Sequence, residues 1–226
     1  MIDHFDSRAL GRTDCYGQRF MKTGTYRYNV LPAGGDALND ERPFVIQVKE
    51  RSASNKMNQH TVFIKPGPKM TVEPPELAIE AGDLVLWNCA TGPAMPCMVV
   101  GDKEFFNSAR LVNESGYSHA FGTAGEYEWV DAYGSGARGV VRVRHPECKS
   151  SRDYQQWREQ LSRGTVVMIS DAKAEPREVE IMTGQTVFFG IVKGPGISIT
   201  DKRLVIASAC ARDAQAYRRE ASADRR

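Results

Sequence analysis

The chain has 226 residues, 41% of them hydrophobic, with 30 Lys and Arg against 28 Asp and Glu. That length admits one or two domains with a sizeable core, and a net charge of +2 excludes a general nucleic-acid-binding surface. No run of about 18 apolar residues occurs, which excludes a transmembrane helix.

The N-terminal MIDHFDSRALG lacks the basic and apolar regions of a secretory signal, so the expectation is a cytoplasmic protein. Five cysteines (Cys15, Cys89, Cys97, Cys148, Cys210) form an odd set with no repeated spacing. That pattern suits free thiols in a reducing compartment better than a disulfide framework.

Taken in chain order, the elements are mostly strands. A long polar loop over 31–43 precedes the alternating FVIQVK at 44–49. HTVFI at 60–64 reads as a half-buried strand, and LAIEAGDLVLWN at 77–88 as two strands turning at Gly82-Asp83. GVVRVRH at 139–145 is a further strand. The segment 151–162 reads as a helix, capped by Ser150 or Ser151 and followed by Gly164. Its Tyr154, Trp157 and Leu161 share one face. EVEIMTGQTVFFG at 178–190 gives two more strands, turning at Gly184-Gln185. The tail over 204–226 is rich in Ala and Arg, so helical at first and frayed later.

The chain also repeats itself. Residues 5–30 align with 106–131, matching Phe5 to Phe106, Ser7 to Ser108, Leu10 to Leu111, Tyr16 to Tyr117, Phe20 to Phe121, Gly24 to Gly125 and Tyr26 to Tyr127. Residues 175–190 align with 73–88, matching Pro176 to Pro74 and Gly184 to Gly82. A repeat sets the architecture. The copies divide into a second half (1–50), a complete domain (60–144), a first half (164–202) and a basic tail (203–226). The expectation is that 1–50 pairs with 164–202, because an unpaired half exposes sheet edges.

The segment 72–143 opens with VEPPELAIEAGDLVLWNCATGPAMPCMVV and closes with YEWVDAYGSGARGVVRV. On these strands and loops it resembles the cupredoxin family. In that family the closing strand reads Tyr-x-Tyr-x-Cys, followed by His and Met; here those positions fall on Asp131, Gly134 and Ala137. The earlier Pro-His-x-Val histidine falls on Cys97. Blue copper needs two imidazoles and a thiolate with a weak axial thioether, and Gly and Ala supply no donor atom. The resemblance therefore implies an all-β fold of two Greek-key sandwiches, with no cofactor, no metal and no copper site.

Other apparent sites have plainer readings. Gly134-Ser135-Gly136-Ala137-Arg138-Gly139 matches G-x-G-x-x-G, but a strand follows where a dinucleotide site needs a helix, so it reads as a hairpin loop. Cys89, Cys97 and Asp131 could approach one another as zinc ligands, but their spacing matches no metal motif and inert thiols are the better account. His119 alternates with Tyr117 and Phe121 and reads as a core histidine. No nucleophile elbow, P-loop or paired-carboxylate pattern occurs, so no catalytic residue is assigned.

From Lys202 onward seven basic residues oppose three acidic ones. That excess makes Leu204, Val205, Arg212, Arg218 and Arg219 candidate partner-binding residues, against acidic protein or anionic headgroups. The functional expectation is a non-catalytic structural or accessory subunit of a larger assembly, its partners other protein subunits. Since cupredoxin relatives serve electron-transfer chains, the resemblance implies a respiratory or photosynthetic membrane complex. The alternative is a metal-binding or electron-transfer domain with unusual ligands such as Cys97 and Asp131.

Overall fold

Period-two burial turns most of the patterned segments into strands, 51% of the chain against 9% helix, so the protein is all-β. In the computed structural model the described residues are 4–34, 41–52, 56–65, 67, 69–89, 95–102 and 105–206. The first stretch gives β1 (Asp14–Arg19), β2 (Gly24–Pro32) and β3 (Phe44–Lys49). Then follow β4 (Gln59–Lys65), β5 (Thr71–Glu73), β6 (Glu76–Glu80), β7 (Leu84–Asn88) and β8 (Cys97–Gly101). The same order recurs as β9 (Ser115–Ala120), β10 (Gly125–Val130), β11 (Arg138–Arg144), β12 (Thr165–Ser170), β13 (Lys173–Glu175), β14 (Glu178–Met182), β15 (Thr186–Lys193) and β16 (Thr200–Asp201). The helix α1 (Ser151–Leu161) separates β11 from β12. Ser150 caps it by accepting from the Asp153 N–H, and its Trp157 indole donates to Thr183 O at 3.3 Å.

One long sheet runs β13-β12-β15-β9-β1-β7-β4-β5. Two four-stranded sheets, β6-β3-β2-β8 and β14-β11-β10-β16, pack on the same face of it. Tyr28 of β2 meets Trp87 of β7 edge-on at 5.6 Å, and Trp129 of β10 meets Phe189 of β15 edge-on at 5.4 Å. Each pair is buried, so each short sheet and half of the long one enclose an apolar core. The two lobes share a centre where β1 pairs β9, with Gly17 opposite Gly116 and Tyr16 opposite Tyr117.

The halves join differently from the sequence expectation. Residues 1–50 complete a lobe with β4–β8: β1 pairs β7, β2 pairs β8 and β3 pairs β6. The middle copy is divided, and its β9–β11 join β12–β16: β9 pairs β15, β10 pairs β16 and β11 pairs β14. Residues 60–144 are therefore not a self-contained sandwich, nor do 1–50 and 164–202 form one. Alignment shows which halves are alike, but any first half fits any second half. Each second half pairs with the first half that follows it in the chain, directly after β3 in one lobe and across α1 in the other.

Residues 1–50 and 164–202 do meet at their ends. Ser7 N–H donates to Ile199 O and Asp201 N–H to Phe5 O, each at 2.9 Å. The matching contacts in the other lobe are Ser108 N–H to Val99 O at 3.0 Å and Gly101 N–H to Phe106 O at 2.8 Å. Phe5 inserts beside Phe121 and Phe189, and Phe106 beside Phe20 and Trp87. Each segment before a β1-type strand thus begins in the neighbouring lobe.

Two outcomes follow from this pairing. A fragment of residues 60–144 is expected to show no cooperative melt, because its two halves face partners it no longer has; calorimetry of the isolated fragment checks this. Phe106→Ala should lower stability by about 3–5 kcal/mol, since it empties a fully buried aromatic site, as read by urea denaturation.

Candidate functional site

The ligand positions that the resemblance implies fall at the ends of strands in two lobes. Cys97 opens β8 and is buried; its Sγ lies 3.2 Å from Cys89 Sγ. Asp131 follows β10 in the other lobe and caps the hairpin to β11. Its carboxylate accepts from the N–H groups of Ser198 and Ser135 at 2.8 Å and of Tyr133 at 3.1 Å. Burial alone would raise its pKa, but these donors outweigh it and hold the group below the usual carboxylate range. Gly134 takes a left-handed φ of +88° in open space, and Ala137 is buried, its carbonyl accepting from the Asp131 N–H at 2.9 Å.

Cys97 and Asp131 are thus engaged separately. The residue of the Cys97 lobe that matches Asp131 in the repeat is Val30, buried and apolar. Among the described residues no group of three or more His, Cys, Asp and Glu is placed to hold a metal. The Gly134–Gly139 motif is a hairpin loop between antiparallel β10 and β11, the arrangement expected of it.

The outer face of the long sheet is the most unusual surface. Register carries one row of outward side chains from Val166 through Phe188, Ser118, Cys15 and Asn88 to Phe63. A second row runs from Met168 through Gly190, Gly116 and Gly17 to Leu86. Val166 is 49% exposed, Met168 44%, Phe63 45% and Val192 47%, while Leu84, Leu86 and Phe188 are half-buried. Charged residues rim this area: Lys65 paired with Glu73 at one edge, and Lys173 and Glu175 at the other. A depression of about 370 Å³ lies over the seam, lined by Leu84, Gly116, Met168, Phe188 and Ile191.

Two buried polar clusters stabilise the body. Asp14 on β1 accepts from the Tyr117 hydroxyl at 2.6 Å and meets His119 Nδ1 at 2.7 Å across the seam. His119 is therefore buried as expected, although its Nε2 is left without a hydrogen-bond partner. Asp83, after β6, accepts from the N–H groups of Asn58 and Glu80, from Arg51, and meets His60 Nε2 at 3.0 Å. Burial opposes ionisation there, but the donors prevail and hold Asp83 well below the usual carboxylate range.

The tail begins as a helical turn after Asp201. Leu204 and Val205 are half-buried on their own chain, so the apolar start of the tail is partly covered already. Lys202 pairs with Glu128 at 2.6 Å, and Arg203 pairs with Asp201 while lying over the Tyr127 ring. Two of the tail's basic charges are thereby engaged within the chain. Arg212, Arg218 and Arg219 lie outside the described residues.

No family model matches the chain, and neither a curated protein nor a solved structure matches it. The sequence reading missed the outer face. Its signal was available in TVVMIS, where Val166 and Met168 interleave with the buried Val167 and Ile169, so apolar residues occupy both faces of one strand. Such a run belongs to strands covered on both sides.

Acid stability tests the Asp83 cluster. A folded-state pKa below the ordinary value of about 3.9 adds stability that is present above that value and lost as pH falls through the folded pKa. The melting temperature should therefore decline below about pH 4, and Asp83→Asn should lower it at neutral pH and flatten the decline. A scan from pH 2 to 7 reads both.

Proposed function

We propose that this protein is a non-catalytic accessory subunit that seats the outer face of its long sheet on another protein chain. The observation that carries this reading is the exposed apolar set Phe63, Val166, Met168 and Val192 on one continuous face. Exposed apolar patches with a polar rim mark protein–protein contacts. Eight strands spaced about 4.8 Å apart span roughly 34 Å, enough for the ~800 Å² per partner of a standard interface. The occupant is a protein with a largely apolar surface that also meets the Arg19–Glu114 pair lining the depression.

Each lobe is read as a cupredoxin-like Greek-key sandwich put to structural use. What supports this is the motif resemblance, together with a strand order in which β1–β3 stand beside β4–β8 where the closing strands of one copy would otherwise stand. The ends of the strands then carry Cys97, Asp131, Gly134 and Ala137, engaged in local packing and hydrogen bonds. The narrower reading, a respiratory or photosynthetic complex, rests on the family resemblance alone.

The test is a Val166→Lys, Met168→Lys variant. Both positions are exposed, so stability should change by less than about 0.5 kcal/mol. Native mass spectrometry of material isolated from its source should show the wild-type protein bound to a partner at fixed stoichiometry, and the variant free. If the variant keeps its partner, the face is not the interface. If the purified wild-type chain instead forms a homodimer that the variant abolishes, self-association replaces the accessory role.

A further inference from the structure

A pair of sulfurs sits where the first lobe closes. Cys89 follows β7 and Cys97 opens β8, and their Sγ atoms are 3.2 Å apart. Leu10 holds the site from the side: its N–H donates to Cys97 O at 2.7 Å, and Cys97 N–H donates back to Leu10 O at 3.0 Å. Cys89 Sγ lies 4.0 Å from the same Leu10 carbonyl. Cys97 is 1% exposed, whereas Cys89 is half-buried and reachable from outside. We propose that Cys89 and Cys97 form a redox-active dithiol, which closes to an intramolecular disulfide by reaction with a low-molecular-weight disulfide.

The two thiols are unequal, as such chemistry requires. The contact with Cys97 lowers the pKa of Cys89 against the opposing effect of burial. The same contact, reinforced by burial, raises Cys97. Cys89 is therefore the attacking thiolate and Cys97 the resolving thiol.

In the first step Cys89 S⁻ attacks one sulfur of RSSR, forming Cys89–S–S–R and releasing RS⁻. In the second, Cys97 gives its proton to that RS⁻ and attacks the Cys89 sulfur, expelling a second RS⁻ that takes a proton from water. Two protein thiols are oxidised by two electrons, and one RSSR is reduced to two RSH. Closure asks the sulfurs to approach from 3.2 Å to about 2 Å.

Cys15 is the neighbouring competitor. It stands on β1 opposite Asn88, and burial pushes its thiol up to about 12. Its Sγ–H donates to Tyr16 O at 3.6 Å, away from the pair. Cys148 is exposed and serves as an internal control for simple capping.

The experiment equilibrates the full chain against defined ratios of reduced and oxidised glutathione, quenches with acid, alkylates free thiols and maps peptides by mass spectrometry. The expected result is a Cys89–Cys97 cross-link in oxidising buffer, reversed by dithiothreitol, with Cys148 carrying at most a glutathione adduct. The cross-link should raise the melting temperature by only about 5 °C, because it constrains the unfolded chain and the loop it closes is short. Cys97→Ser should trap Cys89 as a mixed disulfide with glutathione. Should that buried substitution prevent folding, Cys89→Ala at the half-buried position must remove the cross-link and leave Cys97 unmodified. Free Cys89 and Cys97 in fully oxidised buffer, or a cross-link from Cys89 to Cys15 or Cys210, overturns the proposal.

Discussion

The pairing of β1 with β9 joins the two lobes into one sheet, and the other layers are placed by it. Gly17 stands opposite Gly116 there, and each is covered by a side chain rather than flanked by one. A β-carbon on Gly116 would lie 2.3 Å from the Phe188 ring, and one on Gly17 would lie 3.0 Å from Leu86. The absence of side chains at the seam lets Phe188 and Leu86 lie across it. On the inner side of the same strands, Tyr16 and Tyr117 point into the cores, while Asp14 ties His119 and Tyr117 together across the seam. Glycine on one face and bulky or hydrogen-bonded residues on the other fix the register, because a slip by one residue would exchange the faces.

The crossing arms add a second constraint. Phe5 and Phe106 each leave the lobe of the strand that follows them and fill an aromatic core in the neighbour. Each lobe therefore lacks a central ring unless the other supplies it, which couples their stabilities beyond the shared sheet. The serines behind these rings act alike: Ser7 Oγ accepts from Ile199 N–H and Ser108 Oγ from Val99 N–H, both at 3.1 Å. Buried hydroxyls with defined partners hold the arms where apolar packing alone would tolerate sliding.

Much of the secondary structure was legible, because burial follows the period-two patterns of FVIQVK, HTVFI and GVVRVRH. The helix was legible through its Ser150 cap and the Trp157 face, and the turns through Gly82 and Gly184, which take φ of +95° and +89°. The union of the halves was not legible. The apolar faces of 1–50 suit either first half, and no residue pattern marks which of them it joins. The candidate site was legible only as single positions. Cys97 and Asp131 stand in one aligned copy but in different lobes, and Cys89 meets Cys97 where β7 ends and β8 begins, with no recognisable spacing to signal it. The exposed Val166 and Met168 were hidden because an apolar residue in a strand is read as core until the opposite face is known to be open.

The strand ends and the outer face differ in how far their groups are already engaged. At the strand ends, Asp131 spends its lone pairs on backbone N–H groups, and Val30 is buried at the equivalent place. The long sheet, in contrast, leaves Phe63, Val166, Met168 and Val192 exposed among the described residues. Adjacent strands rotate by roughly 20–25°, so eight of them present a twisted saddle rather than a plane. A flat or rigid surface would touch one lobe only. A partner that follows the saddle would contact Val166 and Met168 on one side of the seam and Leu86 and Phe63 on the other. Fusing two lobes into one sheet thus provides what neither lobe offers alone: a broad outer face on which Val166 of one lobe stands in register with Phe63 of the other, across Ser118 and Asn88, and Met168 with Leu86.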